Sequence, residues 1–195
     1  LSGGELPHAF SLTAVELRAL IDRSRFAIST EETRYYLNGI YLHATDSDGT
    51  QVLRAVATDG HRLARFELPL PDGAAGMAGV IVPRKAVSEL RRLIEDCGES
   101  VSVALSDTQV RFSFDSARLT SKLIDGTFPE YDRVIPAGND KVLEVDCKTF
   151  ASAVDRVSAI SSEKSRSVKL SWNPGNLVLS ATSPEMGSAT EELEV

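Results

Sequence analysis

The sequence is poor in the residues that most often mark a chemical site. It contains two cysteines, Cys97 and Cys147, and three histidines in 195 residues. Two cysteines are too few for a disulfide framework, so we expect both to be buried free thiols in a reducing compartment. The histidines, His8, His43 and His61, offer no metal-ligand spacing. We therefore expect neither a bound metal nor a cofactor.

Other absences narrow the class of protein. No apolar run approaches the roughly 20 residues that span a bilayer, and residues 1–5 do not resemble a signal peptide. No Ser or Cys lies in a nucleophile elbow, and no Gly-rich loop is suited to a phosphate. The formal net charge of −7 argues against a wholly nucleic-acid-binding surface, but it permits one basic face on an acidic body. Because the first residue is not Met, we expect a fragment.

The most informative segment is VATDGHRLAR, residues 56–65. Asp59-Gly60 is a strong turn signal, because glycine accepts positive φ without steric cost. We therefore predict a strand over 53–58 and a turn that presents His61 and Arg62 from a rigid edge. Such an edge is either a chemical site or a docking surface. An acid–base pair of Asp59 and His61 is disfavoured, because Gly60 interrupts the regular alternation of the strand.

Internal matches indicate duplicated units. ELRALI at 16–21 recurs as ELRRLI at 89–94, and AISTE at 27–31 recurs as AISSE at 159–163. Arg34 and Arg166 keep the spacing of the second match. In each case the matching segments lie at a helix or directly after one. Two such matches favour duplication over chance.

The pattern predicts an α+β fold in which each helix is followed by antiparallel strands. The first helix is predicted to begin at a Thr13–Glu16 capping box. The second is predicted to begin at Pro83 and to end near Gly98, and a third over 147–159 is capped by Asp146. Strands are predicted at 36–44, 51–58, 101–105, 109–114, 119–123, 168–172, 177–181 and 190–195. We expect one domain of two units at 1–130, a Gly- and Pro-rich linker at 126–140, and an incomplete domain at 131–195.

Two surfaces have open interpretations. Basic residues recur on the first two helices: Arg18, Arg23, Arg25, Arg84, Lys85, Arg91 and Arg92. They form either solvated faces or a phosphate-facing surface without sequence readout. Tyr35 and Tyr36 either add stacking or sugar contacts, or at least one of them packs in the core. Residues 58–63, with Leu37, Pro129 and Val134, make either a peptide pocket or ordinary core.

Four ordered motifs carry a resemblance to a known family. They are RYYLNG at 34–39, ATDGHRLA at 57–64, VPRK at 82–85 and TSKLIDGTFPEY at 120–131. Together they resemble the bacterial sliding clamps, the β subunits of DNA polymerase III. The resemblance covers nearly the whole chain.

The resemblance implies a DNA-clamp fold, with helices on one face and sheets on the other. It implies a ring-shaped dimer with three similar domains per subunit, of which 1–130 is the middle domain and 131–195 part of the third. Such a ring encircles duplex DNA non-specifically as a non-enzymatic, cytoplasmic processivity factor. Without a first domain the ring cannot close, and part of the pocket that the end of the third domain supplies is missing.

The resemblance also implies site residues. The replicative polymerase, the clamp loader and repair polymerases insert a short peptide with Gln and Leu or Phe into a pocket. That pocket corresponds to Leu37, Thr58, Gly60, His61, Arg62, Leu63, Pro129, Arg133 and Val134. The DNA-facing positions are Arg34, Tyr35, Tyr36 and Lys85, and Glu31 replaces a neutral amide of some relatives. The dimer contact corresponds to Ala159 and Ile160.

Overall fold

The computed structural model describes residues 4–95, 98, 100–115, 117–161 and 166–195. The chain divides into two compact units, Leu1–Val134 and Ile135–Val195. In the described ranges, no helix has both the length and the apolar character of a membrane span.

The first unit contains two helices and eight strands among its described residues. In chain order these are β1 (His8–Thr13), α1 (Ala14–Asp22), β2 (Gly39–Ser47), β3 (Thr50–Thr58), β4 (Leu63–Pro69), β5 (Val80–Pro83), α2 (Arg84–Leu93), β6 (Ser100–Leu105), β7 (Gln109–Phe114) and β8 (Ala117–Lys122). Short 3₁₀ turns lie at Arg25–Ala27, Glu32–Leu37 and Tyr131–Val134.

The two halves of this unit have the same order: one strand, one helix and three strands. The sheets run β1-β6-β7-β8 and β4-β3-β2-β5. The first strand of each half therefore pairs with the sheet of the other half, β1 with β6 and β5 with β2, both antiparallel. This arrangement confirms the predicted duplication. It also means that neither half can complete its sheet alone.

Both helices form where the local sequence predicts them. Thr13 and Glu16 make the reciprocal capping box of α1, and Leu17, Leu20 and Ile21 bury its apolar side. Val87 and Leu90 are buried along α2. Pro83 is the N-cap of α2 rather than its first helical residue, because its ψ of 144° is extended.

Several predicted boundaries change. Tyr36, predicted to begin a strand, lies in the 3₁₀ turn, and β2 begins only at Gly39. Strands β1, β4 and β5 were not predicted. Cys147 is exposed, contrary to expectation, because it lies in the first turn of its helix, before the buried positions. Cys97 is outside the described residues.

The second unit has α3 (Cys147–Ser158), β9 (Lys169–Asn173), β10 (Asn176–Ser183) and β11 (Gly187–Glu194). Asp146 caps α3 by accepting the Thr149 amide at 2.8 Å, as predicted. The strands are ordered β11-β10-β9. A small core contains Ala153, Val157, Leu177, Leu179 and Ala181. The unit thus repeats the helix-then-strands order; Ser162 and Glu163 of its sequence match are outside the described residues.

Candidate functional site

The loop between β3 and β4, residues 59–62, is held by its own hydrogen bonds. The Asp59 carboxylate oxygen Oδ1 accepts the amides of His61 and Arg62, both at 3.0 Å. The Thr58 hydroxyl donates to the Arg62 carbonyl at 2.8 Å and accepts the Gly60 amide at 3.1 Å. Gly60 has φ +88°, the left-handed conformation that the Asp-Gly pair predicts. The conformation of the loop is therefore fixed by hydrogen bonds among residues 58–62.

The Asp59 carboxylate interacts with groups of this same loop. Partial burial alone would raise the pKa of its carboxyl, but the Arg62 and His61 amides and the Arg62 guanidinium outweigh burial and lower the pKa to about 2. Arg62 Nε donates to Asp59 Oδ2 at 3.0 Å. Both carboxylate oxygens are thus engaged by backbone amides and a guanidinium, and His61 contributes its backbone amide rather than its ring. The arrangement is that of a structural turn, not of a general acid–base pair.

The side chains at the end of this loop are largely exposed. His61 and Arg62 are exposed, and Leu63, the first residue of β4, is half-buried. The Arg62 guanidinium carbon lies 5.7 Å from the ring centre of Phe26, which is 55% exposed. This cation–π contact and the Asp59 pair fix the direction of Arg62.

Leu37 reaches the same end of the sheet by strand pairing. β2 and β3 are antiparallel, and Tyr41 pairs with Val56. Continuing that register toward the start of β2 brings Gly39 beside Thr58. Leu37 lies two residues before Gly39, at this end of the sheet, and its side chain is only 4% exposed.

Arg34 joins the 3₁₀ turn to the loop. Its guanidinium donates to the Glu31 carboxylate from Nε at 2.8 Å and from Nη2 at 2.5 Å. Nη2 also donates to the Asp59 carbonyl at 3.2 Å. The turn is kinked at Arg34, where φ is −108° and ψ 52°. The expected DNA-facing arginine is thus also a contact of the expected peptide loop.

Pro129, Arg133 and Val134 are positioned by a different set of contacts. The Pro129 carbonyl accepts the Tyr131 amide at 2.8 Å. Val134 is 70% exposed, and Arg133 pairs with Glu130 at 2.6 Å. Whether these three line one pocket with the loop residues stays a prediction.

An aromatic cluster of Tyr41, His43, Phe128 and Tyr131 packs residues 128–131 against β2. The Tyr41 ring stacks on His43 at 4.5 Å and on Phe128 at 4.8 Å between centroids. Phe128 and Tyr131 are both buried. The cluster therefore covers the second face of the sheet and fixes the chain that leads to Val134.

A buried arginine lies under this cluster. Arg54 of β3 is 5% exposed; its Nε donates to Glu67 at 2.7 Å and its Nη1 to the Tyr131 hydroxyl at 2.9 Å. The same hydroxyl lies 2.9 Å from His43 Nε2. Burial, and then the nearby Arg54 charge, lower the pKa of His43. A neutral imidazole that accepts the Tyr131 proton satisfies all these groups.

A groove at the start of α2 carries exposed basic and aromatic side chains. It has a volume of about 450 Å³ and is lined by Tyr35, Asn38, Pro83, Arg84, Lys85, Ser88 and Ile124. Tyr35 is 53% exposed and meets Tyr36 edge-to-face at 5.7 Å. Tyr35 is thus at the surface, whereas Tyr36 is half-buried.

Other basic helix residues serve the fold itself. Arg18 Nη1 donates to the Ile94 carbonyl at 2.9 Å, at the end of α2. Arg91 pairs with Asp22 at 2.9 Å and thereby connects the two helices. Arg92 pairs with Glu89 at 2.5 Å. Much of the predicted basic face is therefore neutralised by ion pairs, and the groove at Lys85 is the stronger candidate for phosphate contacts.

Two family models match consecutive parts of the chain. Residues 11–130 match the DNA polymerase III beta subunit, central domain, and residues 132–195 match the C-terminal domain of the same subunit. The chain belongs to the DNA polymerase III beta subunit family. The resemblance seen in the four motifs is thereby confirmed.

Individual beta subunits agree with this membership. A beta sliding clamp of Caulobacter vibrioides is 56% identical over all 195 residues. The crystal structure of a sliding clamp from Bartonella birtlesii bound to griselimycin has a TM-score of 0.95 at 52% identity and covers 100% of this chain and 52% of that one. A Caulobacter crescentus sliding clamp has a TM-score of 0.92 at 54% identity over the same shares. The chain spans about half the length of the curated relatives it matches.

Contacts within this chain do not test the dimer contact expected at Ala159 and Ile160. Ala159 is the exposed C-cap of α3, and Ile160 packs partly on the core of its own unit. In the described ranges, no three His, Cys, Asp or Glu side chains are grouped in a way that could hold a metal.

Sequence reasoning missed residues that support this beta-subunit site. It gave no role to Phe26 or Arg54, and it considered Asp59 as a turn former or a disfavoured acid–base partner of His61, not as the group that holds Arg62. A single Phe directly after Arg25 carries no pattern of its own. The signal for Arg54 was a single cation within an otherwise apolar strand, which requires a partner if it is buried.

Proposed function

We propose that this chain is part of a sliding clamp, the processivity factor of the replicative DNA polymerase. The observation that carries the proposal is the ordered match of residues 11–130 and 132–195 to two domains of the beta subunit. Residues 1–130 act as the middle domain and 131–195 as part of the C-terminal domain. The role is non-catalytic and cytoplasmic, and it requires neither a metal nor a cofactor.

In the complete protein, two subunits form a ring around duplex DNA. We assign Ala159 and Ile160 to the contact between subunits, since Ala159 is exposed at the end of α3. Tyr35, Tyr36, Lys85 and Arg34 face the DNA. Tyr35 and Lys85 line one groove with Arg84, and this combination of an aromatic ring with basic groups suits weak phosphate and sugar contacts without sequence readout.

Partner proteins dock through a peptide pocket. Its residues are Leu37, Thr58, Gly60, His61, Arg62, Leu63, Pro129, Arg133 and Val134. The replicative polymerase, the clamp loader and repair polymerases are the proposed partners, each through a short peptide with Gln and Leu or Phe. The proposal is supported by the ordered 59–62 loop, because a preformed surface avoids an ordering cost on binding.

The pocket is tested by peptide binding. A fluorescently labelled peptide with these side chains is titrated with the protein at the full length of its relatives, and with its Arg62→Ala and Leu63→Ala variants. We expect each substitution to weaken binding about fivefold or more, as truncation of a central interface residue does. Arg65→Ala is the matched control, since Arg65 pairs with Glu67 at 3.6 Å and has no place in the pocket. Unchanged affinity in both test variants would falsify the pocket.

The ring is tested with the protein at the full length of its relatives. Once assembled on a nicked circular plasmid, it should remain through a gel-filtration column and be lost when the plasmid is linearised. Lys85→Ala should reduce the salt dependence of DNA binding by about one phosphate contact. Equal loss from circular and linear DNA would refute topological retention.

A further inference from the structure

The 3₁₀ turn at Glu32–Leu37 and the 59–62 loop are joined by one guanidinium. Arg34 is bound on one side by both oxygens of Glu31 and on the other by the Asp59 carbonyl. Hydrogen bonding to Arg34, the largest cause, lowers the pKa of Glu31, so the pair is charged at neutral pH. A carboxylate that binds two nitrogens of the fork sets the plane in which the guanidinium meets the loop.

The contact reaches the backbone at Gly60. A Cβ placed on Gly60 would lie 2.5 Å from Arg34 Nη1. The guanidinium therefore packs directly on the loop where φ is positive, and no side chain separates them. Such close packing leaves the loop little room to move toward Arg34.

The same loop continues to the outward-facing arginine. Asp59, held by Arg34 through its carbonyl, holds Arg62 through its carboxylate at 3.0 Å. The connection thus runs from Glu31 through Arg34 and Asp59 to Arg62. Of the two arginines in this connection, Arg62 is the one whose guanidinium is directed outward, against Phe26.

We propose that Glu31 and Arg34 are positioning residues, which hold the 59–62 loop in the geometry that a docked peptide meets. This inference rests on the proposed peptide-docking function. Glu31 acts by orienting Arg34, and Arg34 acts by fixing the backbone at Asp59 and Gly60. Removing either lowers the fraction of molecules with a competent loop and reduces apparent affinity by that fraction.

The test is a double-mutant cycle measured by peptide titration. Glu31→Gln alone should weaken binding about two- to fivefold, the range for an exposed ion pair, and Arg34→Ala more strongly. In the Arg34→Ala background, Glu31→Gln should have no further effect. Arg34→Lys should not restore affinity, because an ammonium cannot bind a carboxylate and a carbonyl in one plane.

A matched control is available on α2. Glu89 and Arg92 form an exposed i,i+3 pair at 2.5 Å, the same spacing as Glu31 and Arg34. Glu89→Gln removes an equivalent charge and should leave peptide affinity unchanged. If Glu31→Gln behaves like Glu89→Gln, or if its effect persists at full size in the Arg34→Ala background, the positioning role is refuted.

A second measurement separates this inference from the pocket itself. The Gly60 amide resonance of the free chain reports loop order without any peptide. We expect Glu31→Gln and Arg34→Ala to broaden or shift it, and Glu89→Gln to leave it in place. An unchanged resonance in both test variants overturns the inference. Unchanged peptide affinity in Arg62→Ala and Leu63→Ala, with a perturbed Gly60 resonance, overturns only the pocket.

Discussion

The Tyr131 hydroxyl should contribute more to the free energy of unfolding than the Tyr41 hydroxyl, the other side-chain oxygen of the aromatic cluster. It accepts a hydrogen bond from buried Arg54 at 2.9 Å and lies 2.9 Å from His43 Nε2. Tyr131→Phe keeps the ring and removes both bonds. It leaves an imidazole nitrogen without its hydrogen-bond donor and leaves Arg54 Nη1 with the Asp132 carboxylate at 3.9 Å, at a site where Tyr131 itself is 5% exposed.

The cost follows from the partners. A hydrogen bond to a charged group contributes about 1.5–3 kcal/mol and a neutral one about 1 kcal/mol, so the substitution should cost about 2–4 kcal/mol. With an m value of about 2 kcal/mol/M in urea, the unfolding midpoint should fall by roughly 1–2 M. Far-UV circular dichroism of the chain in urea measures this shift.

The control is the same chemical change at the surface. Tyr35 is 53% exposed, so Tyr35→Phe should change the free energy of unfolding by less than about 0.5 kcal/mol. If Tyr131→Phe also stays within that limit, the hydroxyl is not satisfying Arg54, and the account of the buried cluster is wrong. A shift as large as expected would show that the segment before Val134 is fixed by a polar contact as well as by ring packing.

Two further predictions use the same measurements. Burial and Arg54 lower the pKa of His43 in the folded chain, so as the pH falls the unfolded chain binds a proton at His43 before the folded chain does. The contribution of neutral His43 to the free energy of unfolding is therefore complete above the ordinary pKa of about 6.5 and is lost as the pH falls through the folded pKa. A His43→Gln variant whose stability had the same pH dependence as the parent between pH 7 and 5 would contradict this. Gly60→Ala should lower stability by about 1 kcal/mol because of its φ of +88°, and it should also weaken peptide binding by displacing Arg34. Gly49→Ala, at φ +83° with open space around it, should carry only the conformational cost. Equal peptide affinity in the two glycine variants would show that the Arg34 contact does not matter for docking.

Local signals predicted much of the fold. The Thr13–Glu16 capping box, the Asp146 N-cap and the Asp59-Gly60 turn each depend on residues within four positions of one another. The two helices of the first unit and the hairpin of β2 and β3 were accordingly found. Duplication was also visible, because the matching segments keep their place in the unit.

The unpredicted parts depend on partners far apart in sequence. β1 is a six-residue strand whose pairing with β6 joins His8 to Leu105. Arg54 is buried because Tyr131, far along the chain, supplies a hydroxyl. The predicted strand over 36–44 includes the end of the 3₁₀ turn at Tyr36, since an aromatic residue before an apolar run has high β propensity. In each case tertiary contacts override the local preference.

The candidate site shows the same division. The residues of the loop were singled out from their residue types. The residues that support them, Glu31 acting by way of Arg34 and Phe26 beneath Arg62, were not. An i,i+3 acid–arginine pair is common on protein surfaces and usually contributes little. Its significance here comes from the Asp59 carbonyl at 3.2 Å, which no sequence pattern encodes.

The two proposed surfaces of the first unit are tied together by one strand. β2 begins two residues after Leu37, and its first residue, Gly39, pairs with Pro83 of β5. A Cβ on Gly39 would lie 2.2 Å from the Val82 carbonyl oxygen, so only glycine permits this approach. The Asn38 carbonyl then accepts the Arg84 amide at 2.9 Å, directly at the groove that contains Lys85. The turn that carries Tyr35 is thus held to α2 through Gly39 and to the 59–62 loop through Arg34, so the proposed DNA groove and the proposed peptide loop share one structural support.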